Sequence, residues 1–445
     1  MLEERDAPTL VMGILNATDD SFAGDGFGDD VDALVASGVR MAIDGADWLD
    51  VGAASSRPGH ADVSEKKEIA RSLSAVTALS RRVTVSISID TTRPAVARAC
   101  LAAGATMVND VSGLADEHVA MVAAESQAKL ILVHSRPSPR DRAAREARPE
   151  DVVAEVRAHL ADVCMRAERC GVPRERLLVD PGLGFAKTPA ESFALIRRLD
   201  ALTDLAPVVV GPSRKGHLGA VTGKPVGERV FATAGAVASA ILAGARMVRV
   251  HDVAQMVDVA RVVDAVRGVR SDGPSRVAFV GLGANLGDRR TALRRAVGAL
   301  GGLGTVRAVS AQWETAPQIV EDQPAFLNAV VAIAVPPLPV GTLVSRLKEI
   351  ECELGRVAGP RYGPREIDLD LLLFARSSEV EVDGEVVVPH ARLTERRFAL
   401  APLAEIAPDE REPRTGLPIR ELLARVAGQP AVRIDGGSWW KTASS

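Results

Sequence analysis

Two carboxylates separated by one residue stand in the stretch Arg365-Glu-Ile-Asp368-Leu-Asp370. In an extended strand alternate side chains point to the same face, so Asp368 and Asp370 would lie side by side. Like charges at that spacing raise each other's pKa unless a cation lies between them. Carboxylates and substrate phosphates are the usual ligands of Mg²⁺. An isolated pair of this kind is more often a solvent-facing edge strand, but here further groups suited to phosphate surround it: Arg356, Arg361, Arg365, His390 and Arg396.

Polar side chains also follow each of eight short apolar runs in the first 268 residues. A single Asp or Asn in such a place usually only caps the next helix, but eight polar positions in eight are hard to explain by capping. In chain order they are Asn16, Ser55-Ser56-Arg57, Asp90, Asn109-Asp110, His134, Asp180, Ser213-Arg214-Lys215, and Arg249 with His251.

These residues fall into two chemical classes. Asp90 and Asp180 accept hydrogen bonds when ionised, which suits a ring that presents N–H and amino donors. The second class supplies positive charge for an anionic leaving group. Its members are Arg57, Lys215, Arg249 and His251. The combination indicates a substrate with a heterocycle and a phosphate.

The elements that must position these residues alternate between β-branched runs and Ala/Arg/Glu-rich helical stretches such as Asp151–Arg169 and Arg229–Ala243. Eight such units in about 265 residues favour a (β/α)8 barrel, whose loops at the carboxyl ends of the strands converge on one rim. The predicted strands are Leu10–Leu15, Trp48–Val51, Val83–Ile89, Met107–Val108, Leu130–Val133, Leu177–Val179, Val208–Val210 and Met247–Val250.

A polar Gly/Pro seam divides the chain. We expect a barrel over 1–268, a linker over 269–275, a smaller α+β domain over 276–410 and an unassigned extension over 411–445, in which Trp439-Trp440 is either a docking contact or a frayed end.

The smaller domain has a β-α-β-β-α-β pattern, which predicts a sheet with helices on one face. Its predicted elements are the strands Val277–Gly281, Val330–Val335 and Ile367–Phe374 and the helices Arg289–Leu300 and Leu338–Leu354.

Composition excludes several classes of protein. The 445 residues are 47% hydrophobic and 25% charged, and 54 Lys+Arg against 58 Asp+Glu give a net charge of −4. This balance argues against a bulk nucleic-acid or membrane-surface binder. The acidic start MLEERDAPTL is not a secretory signal. Four cysteines without a CxxC pair favour a reducing, cytoplasmic location. No Gly-x-x-x-x-Gly-Lys-Ser/Thr loop occurs, which excludes a P-loop nucleotide fold.

The rim residues stand in motifs that resemble dihydropteroate synthase. They are Met12-Gly-Ile-Leu-Asn16, Asp50-Val-Gly-Ala-Ala-Ser-Ser56-Arg57-Pro-Gly59, Ser88-Ile-Asp90, Asn109-Asp-Val-Ser-Gly113, Asp180-Pro-Gly-Leu-Gly-Phe185, Gly211-Pro-Ser213-Arg-Lys215 and Arg249-Val-His251-Asp. The resemblance covers about residues 8–268. It implies a (β/α)8 barrel in which para-aminobenzoate displaces pyrophosphate from 6-hydroxymethyl-7,8-dihydropterin pyrophosphate.

The resemblance also implies a role for each residue, with Lys215, Asp90 and Asp180 as the catalytic set. The pterin would be held by Asp90, Asn109, Asp180 and Lys215. The pyrophosphate would be held, with Mg²⁺ near Asn16, by Asn16, Arg57, Arg249 and His251. The aminobenzoate pocket, where sulfonamides would also bind, would be formed by Ser56, Pro58, Phe185 and Ser213.

This chain departs from the family's usual residues at a few loop positions. The family usually has Pro at Asp19, Glu at Ala54 and Thr at Ser56, and the loop after His134 reads Ser-Arg-Pro instead of a glycine-containing turn. None of these changes removes a charged anchor. We therefore expect altered loop geometry and a retained reaction.

The second domain resembles 6-hydroxymethyl-7,8-dihydropterin pyrophosphokinase. The matching stretches are Val280-Gly-Leu-Gly-Ala-Asn-Leu-Gly287, Asp322-Gln-Pro-Ala-Phe326-Leu-Asn328, Gly355-Arg-Val, Gly363-Pro-Arg-Glu-Ile-Asp368-Leu-Asp370, Val388-Pro-His390 and Arg396-Arg-Phe398. The resemblance covers about residues 277–410. It implies a ferredoxin-like fold that binds ATP without a P-loop and holds two Mg²⁺ on Asp368 and Asp370.

The site residues of this domain are likewise implied by the resemblance. Catalytic arginines on a loop would be Arg361 and Arg365. ATP would be bound by Glu351, Arg356, Tyr362, His390 and Arg396. The pterin would be bound by Thr315, Phe326, Asn328 and Phe398.

Together the two resemblances predict a bifunctional enzyme of folate biosynthesis that acts on small molecules, with neither nucleic acid nor membrane as a partner. A homodimer through the barrel is expected by analogy. Two alternatives are a kinase fused to a degenerate barrel and a barrel that only binds pterin or dimerises; intact Lys215, Arg249 and His251 argue against both. A corrinoid-dependent methyltransferase barrel would also bind pterin but would lack the Ser213-Arg214-Lys215 run.

Overall fold

A computed structural model describes residues 7–18, 26–28, 30–54, 63–136, 152–269, 275–318, 320, 322–357, 359–360, 363–434 and 438–441. The chain divides into two compact units. The barrel unit comprises Met1–Ser80 and Val85–Ser271, and the second unit comprises Arg81–Thr84 and Asp272–Ser445. Each helix of the described part of the chain is too short or too polar to traverse a bilayer.

The barrel unit is built on eight parallel strands that close on themselves, because the first strand pairs with both the second and the last. This confirms the predicted (β/α)8 barrel. The strands are short and rich in Val, Ile and Leu, as expected of strands buried on both faces. They are β1 (Leu10–Asn16), β2 (Trp48–Gly52), β3 (Ser86–Asp90), β4 (Met107–Asp110), β5 (Lys129–Val133), β6 (Leu177–Asp180), β7 (Val208–Val210) and β8 (Ala245–Val250).

Helices with one apolar stripe cover the outside of the barrel. The first buries Leu34, Val39 and Ile43 and is capped by Asp30, whose carboxylate accepts the N–H of Ala33 at 2.9 Å. The described helices are α1 (Val31–Ile43), α2 (Glu65–Ser80), α3 (Pro94–Ala102), α4 (His118–Glu125), α5 (Val152–Arg169), α6 (Pro189–Arg197), α7 (Gly216–Thr222), α8 (Val230–Leu242) and α9 (Val253–Val266).

Large side chains fill the barrel interior, so it forms a packed floor and not a pore. The buried cluster consists of Met12, Trp48, Met107, Ile131, Val133, Leu178, Val209 and Met247. Polar groups at the carboxyl ends of the strands therefore stand above an apolar layer that holds their strands in place.

One predicted strand begins later than expected. The run Val83–Ile89 is a strand only from Ser86 onward. The backbone groups before it are paired elsewhere: the N–H of Val309 donates to the carbonyl of Arg82 at 2.8 Å, and Val83 bridges Ala308. These contacts place residues 81–84 in the second unit.

The second unit contains an antiparallel sheet in which neighbouring strands follow the order 368–374, 276–284, 326–335, 312–315 and 431–434. Its element order begins β-α-β-β-β-α-β, with one strand more between the two helices than predicted, because the short strands 305–309 and 312–315 both pair with 326–335. The ferredoxin-like prediction is confirmed. The elements are β9 (Arg276–Ala284), α10 (Arg289–Leu300), β10 (Thr305–Val309), β11 (Gln312–Thr315), β12 (Phe326–Val335), α11 (Val340–Glu353), β13 (Asp368–Phe374), β14 (Glu381–Asp383), β15 (Val386–Val388), α12 (Arg397–Ile406), α13 (Ile419–Arg425) and β16 (Ala431–Ile434).

The unassigned extension belongs to this unit. Its strand β16 pairs antiparallel with β11, and Trp439 is buried in the core beside α10 and β12. The indole N–H of Trp439 donates to the carbonyl of Ser310 at 3.0 Å, and the Nε–H of Arg294 donates to the Trp439 carbonyl at 2.9 Å. Trp439 is therefore a docking contact and not part of a frayed end.

Replacing Trp439 with Ala should destabilise the second unit by about 3 kcal/mol, because a large buried ring is lost and the Ser310 carbonyl loses its donor. Hydrogen exchange of the full chain should accelerate at the amides of β10, β11 and β12 and stay unchanged in the barrel. The exposed neighbour Lys441→Ala serves as a control. Unchanged exchange in those strands would show that Trp439 contributes no stability there.

Candidate active sites

The barrel's predicted polar residues occupy the carboxyl ends of their strands. Asn16, Asp90 and Asp180 are the last residues of β1, β3 and β6, and Asn109 is the last but one of β4. Arg249 holds the same place in β8. Because parallel strands of a barrel end at one rim, the fold brings these side chains to one site.

Arg249 is the centre of a partly buried charge cluster at this rim. Its Nε–H donates to Oδ2 of Asp50 at 2.6 Å, and an Nη2–H donates to Oδ2 of Asp90 at 3.0 Å. The side-chain amide of Asn109 donates to the same Asp50 oxygen at 3.0 Å. Four strands thereby contribute to one network.

Burial shifts the pKa values of these groups in opposite directions. It raises the pKa of Asp90 to about 7, although Arg249 acts the other way, and nearby Asp50 adds to the rise. Burial likewise raises the pKa of Asp180 against the pull of Lys215. It lowers the pKa of Lys215 to about 8, although Asp180 opposes that shift. Asp90 and Lys215 therefore change charge close to neutral pH.

Lys215 and Phe185 form one wall of the site. The ammonium of Lys215 donates to the carbonyl of Leu183 at 2.5 Å and lies 4.8 Å from the centre of the Phe185 ring. Asp180 accepts the N–H of Gly182 at 2.6 Å, which fixes the start of the same loop. These contacts place a carboxylate, a cation and an aromatic face side by side.

A second pair of predicted residues lies together across β7 and β8. The backbone N–H of His251 donates to the Ser213 hydroxyl at 3.2 Å, and His251 Nδ1 lies 2.9 Å from the same oxygen. Ser213 is buried. The hydroxyl thus holds the His251 ring in place beside the rim.

Two buried residues of this site were not among the predicted site residues. Asp50 is fully buried, and its signal in the sequence is a lone carboxylate inside the apolar run of β2. Lys187 is 9% exposed, and its ammonium donates to the carbonyls of His134, Gly182 and Phe185 at 3.2, 2.9 and 3.4 Å. Burial lowers its pKa to about 7.

Lys187 fixes the loop that carries Phe185. That loop closes so tightly that a Cβ on Gly182, whose φ is +67°, would come within 1.9 Å of the His134 carbonyl. The lysine satisfies three carbonyls around this turn. Its signal in the sequence was a lysine two residues after Phe185 in a stretch of small and apolar residues.

The loop after His134, where the sequence departs from the expected turn, is anchored by charge. Arg136 pairs with Glu191 on α6 at 2.8 Å and with Glu155 on α5 through Nε at 2.7 Å. Thr188 and Glu191 form a capping box at the start of α6, so the same carboxylate serves both contacts. The start of this loop is therefore held without glycine.

In the second unit, Asp368 and Asp370 lie on β13 opposite Gly283 and Gly281 of β9. Two arginines hold Asp368: Nη1 of Arg365 donates to Oδ2 at 2.7 Å and Nη1 of Arg356 to Oδ1 at 2.6 Å. Burial opposes ionisation of Asp368, but the surrounding cations outweigh it and lower its pKa.

The cation between the two aspartates is Lys348, a residue that the sequence analysis missed. Its ammonium lies 3.6 Å from Oδ1 of Asp368 and 3.5 Å from Oδ1 of Asp370. It also donates to Glu351 Oε1 at 2.6 Å and to the Leu369 carbonyl at 2.9 Å. Its sequence signal was weak, because a lysine three residues before a glutamate is common on exposed helices.

Glu351 is 2% exposed and connects α11 to β13. It accepts the N–H of Leu369 at 2.6 Å and also pairs with Arg356. Burial raises the pKa of Glu351, although Lys348 acts the other way. The carboxylate thereby fixes both the strand that bears the aspartates and one of their arginines.

One pocket of the second unit is lined by residues predicted to bind ATP and metal and by residues predicted to bind the pterin. Burial lowers the pKa of His390. Asn328 donates through its amide to the Thr315 hydroxyl at 2.9 Å, so the two form a fixed polar pair. The predicted residues that line it are Arg365, Asp368, Asp370, His390, Arg396, Thr315, Phe326, Asn328 and Phe398.

Some predicted residues lie outside the described part of the chain: Ser56, Arg57, Pro58, Arg361 and Tyr362. Within the described residues, no three or more His, Cys, Asp or Glu side chains are arranged to hold a metal ion. Asp368 and Asp370 alone would therefore need ligand oxygens to complete the coordination of a cation.

Two family models match the chain. Residues 12–251, more than half of the chain, match the family described as pterin binding enzyme. Residues 279–408 match 7,8-dihydro-6-hydroxymethylpterin-pyrophosphokinase. The two matched segments contain the barrel rim and the pocket of the second unit, respectively.

Relatives and solved structures resemble the barrel. The dihydropteroate synthase of Synechocystis sp. is 40% identical over 261 residues, 58% of this chain and 90% of that protein. The dihydropteroate synthase of Mycobacterium leprae is 41% identical over 282 residues, which are 60% of this chain and 99% of that protein. A Xanthomonas albilineans dihydropteroate synthase structure with 4-aminobenzoic acid has a TM-score of 0.55 at 39% identity, covering 60% of this chain and 95% of its own. A Yersinia pestis dihydropteroate synthase structure with a sulfonamide drug has a TM-score of 0.56 at 32% identity, covering 59% of this chain and 95% of its own.

The charge cluster predicts that Asp90 titrates near pH 7 in the ligand-free chain. Replacing Asp50 with Asn should lower the pKa of Asp90, because a like charge is removed and Arg249 is released to bind Asp90 more closely. NMR of chains with carbon-13-labelled aspartate carboxyls measures both values. An Asp90 pKa near 4 in the wild type, or a rise in Asp50→Asn, would contradict this electrostatic description.

Proposed function

Because the chain belongs to the pterin binding enzyme family and also contains a 7,8-dihydro-6-hydroxymethylpterin-pyrophosphokinase domain, we propose that its two sites perform consecutive steps of folate biosynthesis. The protein is a bifunctional transferase. The second domain transfers pyrophosphate from ATP to 6-hydroxymethyl-7,8-dihydropterin. The barrel then condenses the product with para-aminobenzoate to give 7,8-dihydropteroate and pyrophosphate. We place the domains at residues 1–268 and 276–410.

At the kinase site the two carboxylates fit Mg²⁺. Both are partly exposed to the pocket, at 20% and 34%, and both offer the hard oxygen ligands that this ion prefers. When bound, Mg²⁺ would neutralise charge on the triphosphate. Asp368 and Asp370 would hold it, while ATP would contact Arg356, Tyr362, His390 and Arg396 and the catalytic arginines Arg361 and Arg365. Glu351, predicted to bind ATP, is buried and would act by holding Arg356.

The other end of this pocket would hold the pterin. The Thr315–Asn328 pair offers a fixed hydroxyl and amide to the ring's donors and acceptors, and Phe326 and Phe398 offer flat apolar faces. The hydroxymethyl group would then point toward the aspartates. This orientation brings the attacking oxygen to the phosphate end without requiring a covalent enzyme intermediate.

In the barrel, charge placement accounts for the second step. As the C–O bond to pyrophosphate breaks, positive charge grows on the pterin, and the carboxylates Asp90 and Asp180 stabilise it. Lys215 and Asn109 would orient the ring. The aniline nitrogen of para-aminobenzoate is already a nucleophile near neutral pH, so the site needs no activated serine or cysteine.

Pyrophosphate would leave along the cationic side of the rim. Arg249 uses Nε and Nη2 on Asp50 and Asp90, and its remaining Nη1 group can donate to the leaving group. Asn16, Arg57 and His251 would complete this side, with Mg²⁺ near Asn16. Ser56, Pro58, Phe185 and Ser213 would hold para-aminobenzoate, and a sulfonamide would occupy the same pocket.

Two assignments concern the protein's surroundings. The thiols of Cys100 and Cys164 are buried and unpaired, and burial raises their pKa values to about 12 and 11. Such thiols support a cytoplasmic location.

Apolar side chains that are 60% to 87% exposed lie on α8 and α9 and support a homodimer through this face. They are Phe231, Leu242, Val262 and Val266.

Separate substitutions should divide the two activities. Asp368→Asn should lower ATP-dependent pyrophosphorylation at least about 100-fold, because one carboxylate ligand is lost. Lys215→Ala should lower synthase kcat/KM at least about 100-fold, since a charged hydrogen bond to the pterin is lost. Product analysis with each substrate supplied separately measures both steps in each variant.

Each variant serves as the control for the other. Asp368→Asn should retain the synthase step when pterin pyrophosphate is supplied, and Lys215→Ala should retain the kinase step. If one substitution removed both activities from a folded chain, the two-site assignment would be wrong. An unchanged synthase rate in Lys215→Ala would favour a barrel that only binds pterin.

The dimer face predicts a change in oligomeric state. The wild-type chain should be a dimer by light scattering, and Phe231→Asp should be a monomer, because a buried charge opposes apolar association. Met165→Asp, a substitution at an exposed position on α5, should remain dimeric. A monomeric wild type would refute the proposal.

A further inference from the structure

We propose that Lys348 is the resident counter-ion of the Asp368–Asp370 pair, and that its ammonium competes with the divalent cation for the two carboxylates. This inference rests on the proposed metal site. It assigns a residue of α11 to the control of metal affinity. The nucleotide-free chain would then bind the cation weakly because its own lysine already neutralises the pair.

The ammonium is held in place from two elements. Lys348 and Glu351 are three residues apart on α11 and share one face of that helix. The ammonium contacts Glu351 at 2.6 Å and the carbonyl of Leu369, the residue between the two aspartates on β13, at 2.9 Å. Its position near both carboxylates is therefore fixed by two strong hydrogen bonds and not by the aspartates alone.

The two aspartates depend on Lys348 to different degrees. Asp368 is also held by Arg356 and Arg365. For Asp370, Lys348 is the only cation within ion-pair distance among the described residues. Asp370 is 34% exposed, and removing the lysine would leave it without a cation within ion-pair distance among the described residues. A carboxylate pair binds a divalent cation most readily when no other cation already neutralises it.

A divalent cation bound to Asp368 and Asp370 would lie close to the positive charge of the Lys348 ammonium. Both Oδ1 atoms lie within 3.6 Å of the ammonium, so a metal bound to either oxygen would stand close to Nζ. Repulsion at this distance is only partly screened, because both carboxylates are more than half buried. Binding of the cation is thus weakened by a residue that is not a ligand.

Two roles for Lys348 predict different results. If it served only to tie α11 to β13 through Glu351, its loss would lower stability and leave metal affinity unchanged or reduced. If it is the counter-ion, its loss would raise metal affinity. The sign of the change in affinity separates the two roles.

The test is a Mn²⁺ titration of the full nucleotide-free chain, followed by electron paramagnetic resonance of the free ion. Lys348→Gln should bind Mn²⁺ at least tenfold more tightly than the wild type. Arg346→Gln is the matched control: it removes one positive charge from the same helix, 58% exposed and paired to Glu349, and should not change the affinity. Lys348→Met repeats the test if the Gln variant does not fold.

Further variants separate this inference from the proposed metal site. The gain should disappear in the double variant Lys348→Gln with Asp370→Asn. Affinity in Lys348→Gln that equals or falls below that of the wild type would overturn the inference. If Asp370→Asn bound Mn²⁺ with ATP as the wild type does, the metal site itself would be wrong. Unchanged affinity in Lys348→Gln together with loss in Asp370→Asn would leave the metal site standing and reject the role of Lys348.

Discussion

Both sites depend on ion pairs between buried or half-buried carboxylates and cations from other elements of the fold. In the barrel, Arg249 on β8 reaches Asp50 on β2 and Asp90 on β3. An ionised carboxylate without such a partner would be too costly to bury. Closure of the barrel between β8 and β1 brings these strands together, so the fold and the charge cluster depend on each other.

The same constraint shapes the second unit with different elements. There a helix and a loop, and not a neighbouring strand, supply the cations for a carboxylate pair on β13. Because cations already pair with Asp90, Asp368 and Asp370, a charged substrate must exchange ion-pair partners with the protein when it binds. Electrostatic preorganisation of this kind is how sites built from many charges stabilise a developing charge separation.

Much of this arrangement could be predicted from the sequence. Runs of β-branched residues ending in polar groups predicted the barrel, and alternation placed Asp368 and Asp370 on one face. The missed residues, Asp50, Lys187 and Lys348, act through contacts that the chain makes only after folding: Asp50 meets a residue 199 positions away. The predicted strand Val83–Ile89 begins only at Ser86, because the backbone at Val83 pairs with β10. Such long-range pairing leaves no local pattern in the sequence.

One polypeptide should carry out both steps. The measurement gives the full chain 6-hydroxymethyl-7,8-dihydropterin, ATP, Mg²⁺ and para-aminobenzoate, with no added pterin pyrophosphate, and quantifies every product. A bifunctional chain should form 7,8-dihydropteroate, AMP and pyrophosphate in equal amounts. Formation of AMP with accumulation of pterin pyrophosphate and no dihydropteroate would contradict it, and would leave the barrel without a catalytic role.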